Sequence, residues 1–341
     1  MKKLYVVLTI LFLNNYIYSQ TTKYKNVEFK TDQQKSEFIL YLAKNYCVDA
    51  YSILKYEDKI NSYTRYADGK SHESILKSYG TVIHESCHGA NYEVSNKAQS
   101  FDYYGYFVKE KVEIIVPKTQ IFNSFEIDKI VPDSVKTKIF RYKTYVYGDT
   151  KFDRKFLSSI ASGIYGMLNE FTAYHHGLKA TIDIYDYYVD VFGYEDYKTI
   201  LDVFTTSQSE VYAYHEFRLF MAWYLKYAHQ YEPDIYKSII DNQNFKVAYT
   251  LINTYYMHTL DDFFQLRVKY AQEVNKLNNE KVSITEKGSI KFSKDNYSSS
   301  VGGPDETIRY LESLMTDELI EYLNKITIAE LNFENYKSYI K

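Results

Sequence analysis

Two histidines and a glutamate in segment 81–90 have the residue types and the spacing of a metal site. His84 and His88 lie four positions apart, and Glu85 follows the first of them, in the pattern H-E-x-x-H. On a helix, positions i and i+4 share one face, so both imidazoles can reach one tetrahedral ion. Glu85 is rotated from His84 by about 100°, which places its carboxylate beside the ion, where it can accept a proton from water. The spacing predicts one metal ion at His84 and His88, with Glu85 beside it as a base.

The residues around this motif carry no charge, as is typical of a zinc-peptidase helix buried beneath a catalytic cleft. The uncharged positions are Thr81, Val82, Ile83, Ser86, Cys87, Gly89 and Ala90. In motif and flanks the segment resembles the zincin metallopeptidases. The resemblance covers this helix and one later helix, and it implies hydrolysis of peptide bonds.

A zincin needs a third protein ligand, and the type of that ligand separates the subclasses. The metzincin pattern requires Gly at position 91 and His at position 94, where this chain has Asn91 and Val94. An aspartate ligand would be Asp102, which falls at the start of a predicted strand. The resemblance therefore implies the gluzincin type, in which a Glu on a later helix completes the site.

Glu170 is the preferred third ligand. It follows Asn169 on a downstream helix, which is similar to the gluzincin pattern. Its own helix face also carries small residues, namely Gly163, Gly166, Ala173 and Gly177. A glycine inside a helix costs about 0.5–1 kcal/mol relative to Ala, so we expect these positions to allow close approach of the motif helix and room for a metal. The alternative is a tight helix crossing with a solvated or salt-bridged Glu170.

Glu210 is the rival third ligand, because segments 170–175 and 210–215 share the pattern E-x-x-A-Y-H. The helix face around Glu210 is bulkier, with Val203, Thr206, Ala213, Tyr214 and Phe217. Packing therefore favours Glu170, and it leaves Glu210 or His215 a role near the ligands or in the substrate cleft.

The resemblance also implies a Tyr or His that stabilises the negative oxygen formed during hydrolysis. Tyr174 is the preferred candidate because it lies one helical turn after Glu170. The alternatives are His175, His176 and His215.

Hydrogen-bond partners for the ligand imidazoles are expected just after the motif. Asn91 and Glu93 are the candidates. A gluzincin often has Asp four residues after the second His, and this chain departs from that pattern with Tyr92.

The spacing of apolar residues predicts an α+β fold, predominantly helical with a small β-sheet, and the resemblance implies a zincin-like catalytic domain. The expected helices are 32–47, 71–90 and 156–277, the last with breaks near Gly177, Gly193 and Pro233, and a helix from Pro304 to residue 326. The expected strands are a hairpin at 103–107 and 111–116, and 140–147. Residues 281–303 are expected to form a loop or loose hairpin. We expect a single domain over 20–341, with sub-lobes at 20–155 and 156–341 and the cleft between them.

Residues 1–19 have the pattern of a secretory signal peptide. Lys2 and Lys3 precede an apolar run of ten residues, and Ser19 is the small residue before the expected cleavage point. The run is too short to span a bilayer as a mature helix, and no later stretch approaches about 18 apolar residues. We therefore expect an exported protein, secreted or periplasmic, without a membrane span; an uncleaved anchor is the alternative.

The overall charge argues against nucleic-acid binding. The chain has 41 Lys and Arg against 44 Asp and Glu, so it lacks the excess of positive charge that phosphate contacts require. In an oxidising compartment Cys47 and Cys87 can pair, but buried thiols are preferred because a chain of this length does not need the cross-link. The sequence thus predicts an exported zinc metallopeptidase acting on a peptide or protein. The alternative is a non-catalytic secreted binding protein on a zincin-like scaffold.

Overall fold

Helices form most of the structure, and the α+β prediction is confirmed at that level. The computed structural model describes residues 23–56, 62–147, 158–194, 203–278, 281–284, 290–294, 297–301 and 305–330. Its α-helices are α1 (Asp32–Tyr46), α2 (Val48–Leu54), α3 (His72–Asn96), α4 (Asp133–Lys136), α5 (Ser158–Ala161), α6 (Gly163–Asp183), α7 (Tyr185–Phe192), α8 (Gln208–Tyr231), α9 (Pro233–Ile240), α10 (Gln243–Asn278), α11 (Asp305–Leu314) and α12 (Asp317–Ile326). Short 3₁₀ turns occupy Tyr63–Tyr66 and Ser124–Lys129.

Two small antiparallel sheets complete the described fold. Strands β1 (Tyr103–Lys109) and β2 (Val112–Pro117) form the predicted hairpin, with an irregularity after Phe107. Strands β3 (Lys281–Ile284), β4 (Ile290–Lys294) and β5 (Tyr297–Val301) pair in that order. The expectation of a loop or loose hairpin at 281–303 is therefore wrong, since the polar segment pairs its backbone across three strands.

The metal motif lies inside α3, a helix of 25 residues that begins at a well-formed cap. The Ser71 hydroxyl accepts a hydrogen bond from the Ser74 amide, which satisfies one free N–H of the first turn. The helix buries a long apolar stripe that includes Ile75, Val82 and Val94. Helix α3 packs against α6 and β1, and α6 also packs against α8 and α10. The motif therefore lies on a helix that is fixed by packing against both a helix and a strand.

Segment 140–147 is not a strand. Lys143–Tyr147 forms a π-helical turn, and the Phe140 side chain is 73% exposed. The amides of Phe140 and Arg141 donate to the buried Glu216 carboxylate rather than to a neighbouring strand. The alternation of residue types in this segment is real, but a carboxylate from α8 supplies the backbone partner.

The predicted breaks in the long helical region are partly confirmed. Gly193 ends α7 with a φ of 68°, and Pro233 is the first residue of α9. Gly177 does not break the chain, because α6 runs through it without interruption. The last predicted helix is two helices, since Thr316 caps α12 through the Leu319 amide; Pro304 lies outside the described residues.

The described part of the chain contains no helix with the length and apolarity needed to cross a membrane. Cys47 and Cys87 are buried free thiols. The predicted signal peptide at 1–19 lies outside the described residues.

Candidate metal centre

Three side chains from two helices converge on one point. The Nε2 atoms of His84 and His88 are 3.3 Å apart, and Glu170 Oε2 lies 3.7 Å from the first and 3.6 Å from the second. Ligands about 2.0–2.2 Å from a tetrahedral zinc ion are separated by about 3.4 Å. Among the residues that the structure describes, these three form the one His/Cys/Asp/Glu group close enough to hold a metal ion. Their spacing fits such an ion without rearrangement.

The local polarity also fits a cation. Glu170 Oε2 is buried and has no hydrogen-bond partner, a state that costs free energy unless another group compensates it. Burial raises the pKa of Glu170, and the charge of Glu85 raises it further. Burial lowers the pKa of His84 well below its usual value, so its imidazole is neutral and able to act as a ligand. Two imidazoles and one carboxylate are a donor set used by catalytic zinc sites.

His88 is oriented by the residue that precedes Glu170. The Nδ1–H of His88 donates to Asn169 Oδ1 at 2.5 Å, which leaves Nε2 with its lone pair toward the other two ligands. The structure gives the expected partners other positions: Asn91 Oδ1 accepts from the Phe107 amide at 2.7 Å, and Glu93 is exposed. The Asn169-Glu170 pair is visible in the sequence, but the sequence pattern predicts a role only for Glu170.

Glu85 faces the same cavity as the three candidate ligands. This cavity has a volume of about 490 Å³. Its other lining residues are mostly uncharged and rich in hydroxyl groups: Tyr104, Thr144, Tyr145, Ser159, Ser162, Tyr165, Gly166 and Asn169. The only carboxylates among the described lining residues are those of Glu85 and Glu170.

Tyr174 lies behind the site, and Tyr145 faces it. The ring of Tyr174 packs edge-on against His84, with centroids 4.3 Å apart. Its hydroxyl is 2.9 Å from that of Tyr145, which lines the cavity and donates a hydrogen bond to Glu170. Burial raises the pKa of Tyr145, so its hydroxyl keeps its proton. Sequence reasoning missed Tyr145 because its segment was predicted as a strand.

A buried ion pair contacts Tyr174, which in turn contacts Tyr145. Arg141 and Glu216 are 3% and 1% exposed, and their nearest charged atoms are 2.9 Å apart. The Arg141 guanidinium lies 4.2 Å from the centre of the Tyr174 ring and hydrogen-bonds its hydroxyl. Contacts therefore run from α8 through Arg141, Tyr174 and Tyr145 to the ligand carboxylate.

The two alternative third ligands, Glu210 and Asp102, are hydrogen-bonded to other residues. Glu210 accepts a hydrogen bond from the Ser209 hydroxyl at 2.9 Å, and burial raises the pKa of Glu210. Asp102 is exposed and accepts from the Ser100 hydroxyl. Neither belongs to the His84 group.

The alternative histidines are engaged elsewhere. His175 Nε2 is 3.1 Å from the Thr259 hydroxyl, and His176 Nε2 donates to the Phe107 carbonyl. His215 packs edge-on against Tyr214. None of the three is among the residues that line the described cavity.

One glycine on the small-residue face of α6 allows the close approach to α3 that the sequence predicts. A Cβ on Gly177 would lie 3.1 Å from the Gly80 carbonyl oxygen and 3.4 Å from His84 Cβ. Gly166 instead faces the backbone of Ser159, and Gly163 begins α6 with a φ of 54°. The close approach of α3 and α6 therefore depends on Gly177 with Gly80, and the expectation that Gly163 and Gly166 contribute to that approach is wrong; Gly166 does line the cavity of the metal centre.

Comparisons with protein-family models, with curated proteins and with solved structures find no match to this chain. The functional argument therefore depends on the geometry of the site.

Proposed function

We propose that this chain is an exported zinc metallopeptidase of the gluzincin type. The observation that carries the proposal is the convergence of His84, His88 and Glu170 at tetrahedral spacing, with Glu85 facing the same cavity. A bound zinc ion would polarise the carbonyl of the cleaved peptide bond and lower the pKa of a water molecule. The donor set that zinc needs for this role, two imidazoles and one carboxylate, is available from the three side chains.

The remaining steps belong to residues of the chain. Glu85 takes a proton from the attacking water and passes it to the leaving amine. Tyr145, with its proton retained, would turn its single O–H from Glu170 to the carbonyl oxygen as negative charge develops there. Tyr174, the residue preferred from the sequence, acts by holding Tyr145 and by packing on His84. Asn169 fixes the ring of His88.

The uncharged lining of the cavity supports a peptide substrate. Hydroxyl and amide groups can pair with a peptide backbone without placing a charge next to it. Glu85 and Glu170 are the only acidic residues among the described lining residues, and the proposal already uses them as the base and as a metal ligand, so no further carboxylate is left there to bind a charged substrate side chain.

Peptide cleavage by matched variants tests the proposal. Glu85→Gln keeps the shape of the side chain but cannot accept the proton, so we expect zinc to stay bound and cleavage of a broad peptide library to fall by about 10²–10⁴-fold. Glu93→Gln changes an exposed glutamate of the same helix and serves as the control, with cleavage unchanged.

Two results would contradict the proposal. If Glu85→Gln cleaves peptides as fast as the wild type, Glu85 is not the base. If the zinc-loaded wild type cleaves no peptide, the non-catalytic binding protein is the better account.

A further inference from the structure

A second, smaller cavity adjoins the metal centre. Its volume is about 200 Å³, and it shares His88, Tyr104 and Asn169 with the larger cavity as lining residues. A chain bound across the metal centre would therefore reach it on the His88 side.

Aromatic side chains form part of the wall of this second cavity, beside Asn, Ser and Lys side chains. Tyr92, at the end of α3, and Phe101, before β1, line it together with Tyr103 and Tyr104. Phe101 is 88% exposed and Tyr92 is 61% exposed. Large apolar side chains that stand open to water around one cavity mark a binding surface.

Tyr104 lines both cavities and is held in place by Tyr165, which lines the larger one. The ring of Tyr104 stacks on that of Tyr165, with centroids 4.8 Å apart and planes 15° from parallel. Tyr165 in turn hydrogen-bonds Thr119 and Asn242. The Tyr104 ring is therefore held in place before a ligand binds.

The size and charge of the cavity select its ligand. A cavity of about 150 Å³ suffices to bind benzene, so about 200 Å³ accommodates one aromatic ring. Besides His88, the only ionisable nitrogen among its described lining residues is Lys118, and none of those residues is Asp or Glu. The Lys118 ammonium is 4.8 Å from the centre of the Tyr104 ring. The exposed rings of Phe101 and Tyr92 favour an aromatic group, and the Lys118 ammonium disfavours a Lys or Arg side chain.

We propose that this cavity is a specificity subsite that takes one Phe or Tyr side chain of the substrate peptide, close to the bond that is cleaved. The proposal rests on the proposed function, because it assumes that the metal centre acts on a peptide. Phe101, Tyr92 and the edge of Tyr104 would contact the bound ring.

Binding to the inactive enzyme tests the subsite without cleavage. Zinc-loaded Glu85→Gln would be titrated with fluorescein-labelled peptides in which Phe, Ala or Arg is moved along a Gly-Ser background. We expect Phe at one position to tighten binding about tenfold or more over Ala, as burial of an aromatic side chain predicts, and Arg at that position to bind no better than Ala.

Variants at the rim then assign the preference to this cavity. Phe101→Ser and Tyr92→Ser, each added to Glu85→Gln, should reduce the preference for Phe over Ala at least about threefold, since each removes an aromatic contact. Phe140→Ser and Tyr231→Ser remove exposed aromatic side chains outside this cavity and should leave the preference unchanged. The Phe101 and Tyr92 side chains are largely exposed, so these variants should unfold at the wild-type temperature.

The outcomes separate the subsite from the peptidase activity. A preference for Phe that depends on Phe101 and Tyr92 supports the subsite even if the wild type cleaves nothing, a result that would count against the peptidase alone. Absence of peptide binding, absence of a Phe preference, or a preference that survives both rim variants would overturn the subsite, and wild-type cleavage would still support the peptidase.

Discussion

Among the residues that are not ligands, Asn169 has the most direct effect on metal affinity. Its side chain fixes the ring of His88, and partners of this kind typically change metal affinity by 10–100-fold. We expect Asn169→Ala to weaken zinc binding by about that factor, and Asn169→Asp, which keeps an acceptor, to restore much of it. Competition with a fluorescent zinc chelator measures the effect.

Asn91 provides the contrast. Asn91→Ala removes the acceptor of the buried Phe107 amide, which should cost about 1–3 kcal/mol of unfolding free energy while the folded protein keeps its zinc affinity. Wild-type zinc affinity in Asn169→Ala, together with weakened affinity in Asn91→Ala, would reverse the roles that the structure gives to these two residues.

Local spacing explains which site residues the sequence could predict. His84, Glu85 and His88 lie within one helical turn, so their relation is fixed as soon as the segment is helical. Asn169 meets His88 across 81 residues, and Tyr145 reaches the site from a segment whose backbone partner is a carboxylate on α8. Such relations depend on how helices pack, which no local pattern records.

At the scale of elements, Gly177 sets the distance between α3 and α6. A leucine there would collide with the Gly80 backbone and with His84, and overpacking of this kind costs about 1–3 kcal/mol. We expect Gly177→Leu to lower the urea midpoint and to weaken zinc binding. Gly177→Ala should have a smaller effect, because its gain in helix propensity offsets part of the strain.

Wild-type stability and wild-type zinc affinity in Gly177→Leu would show that the helices can separate without disturbing the ligands. The graded series also tests the corrected assignment, since the small-residue pattern alone did not distinguish Gly177 from Gly166. Only the structure shows that Gly166 faces Ser159 and that Gly177 faces α3.

The elements themselves were predicted best where one pattern dominates. The β1–β2 hairpin follows from aromatic and β-branched residues around a short turn, and α3 follows from its apolar stripe. Segment 140–147 alternates like a strand, yet Arg141 points into the core and pairs with Glu216. A buried ion pair from a distant helix outweighs the local alternation there.

At the scale of the whole molecule, buried histidines outside the metal centre make stability depend on pH. Burial lowers the pKa of His72 and of His215 to about 4. Between about pH 6.5 and 4 the unfolded chain binds protons that these folded sites do not, so their contribution to stability is lost as the pH falls through that range. The half-buried carboxyls of Glu210 and Asp183 have pKa values that desolvation raises, and they act in the opposite sense.

Comparing the pH dependence of unfolding free energy in a variant and in the wild type separates the contribution of one histidine from those of the carboxyls. We expect His72→Gln to reduce the fall in unfolding free energy between about pH 6 and 5 by up to about 1.4 kcal/mol relative to the wild type. Urea unfolding at the two pH values measures it, and His258→Gln, at an exposed position, is the control. An equal fall in His72→Gln and wild type would contradict the burial of a neutral His72.

Zinc stoichiometry of the purified protein tests the central claim most directly. We predict about one zinc per chain in the wild type and in Glu210→Gln, and little or none in Glu170→Gln, because Glu170 carries the third ligand atom and Glu210 lies in other surroundings. Elemental analysis after zinc loading and dialysis gives the number. A wild type that retains no zinc, or a Glu170→Gln variant that retains as much as the wild type, would contradict the account.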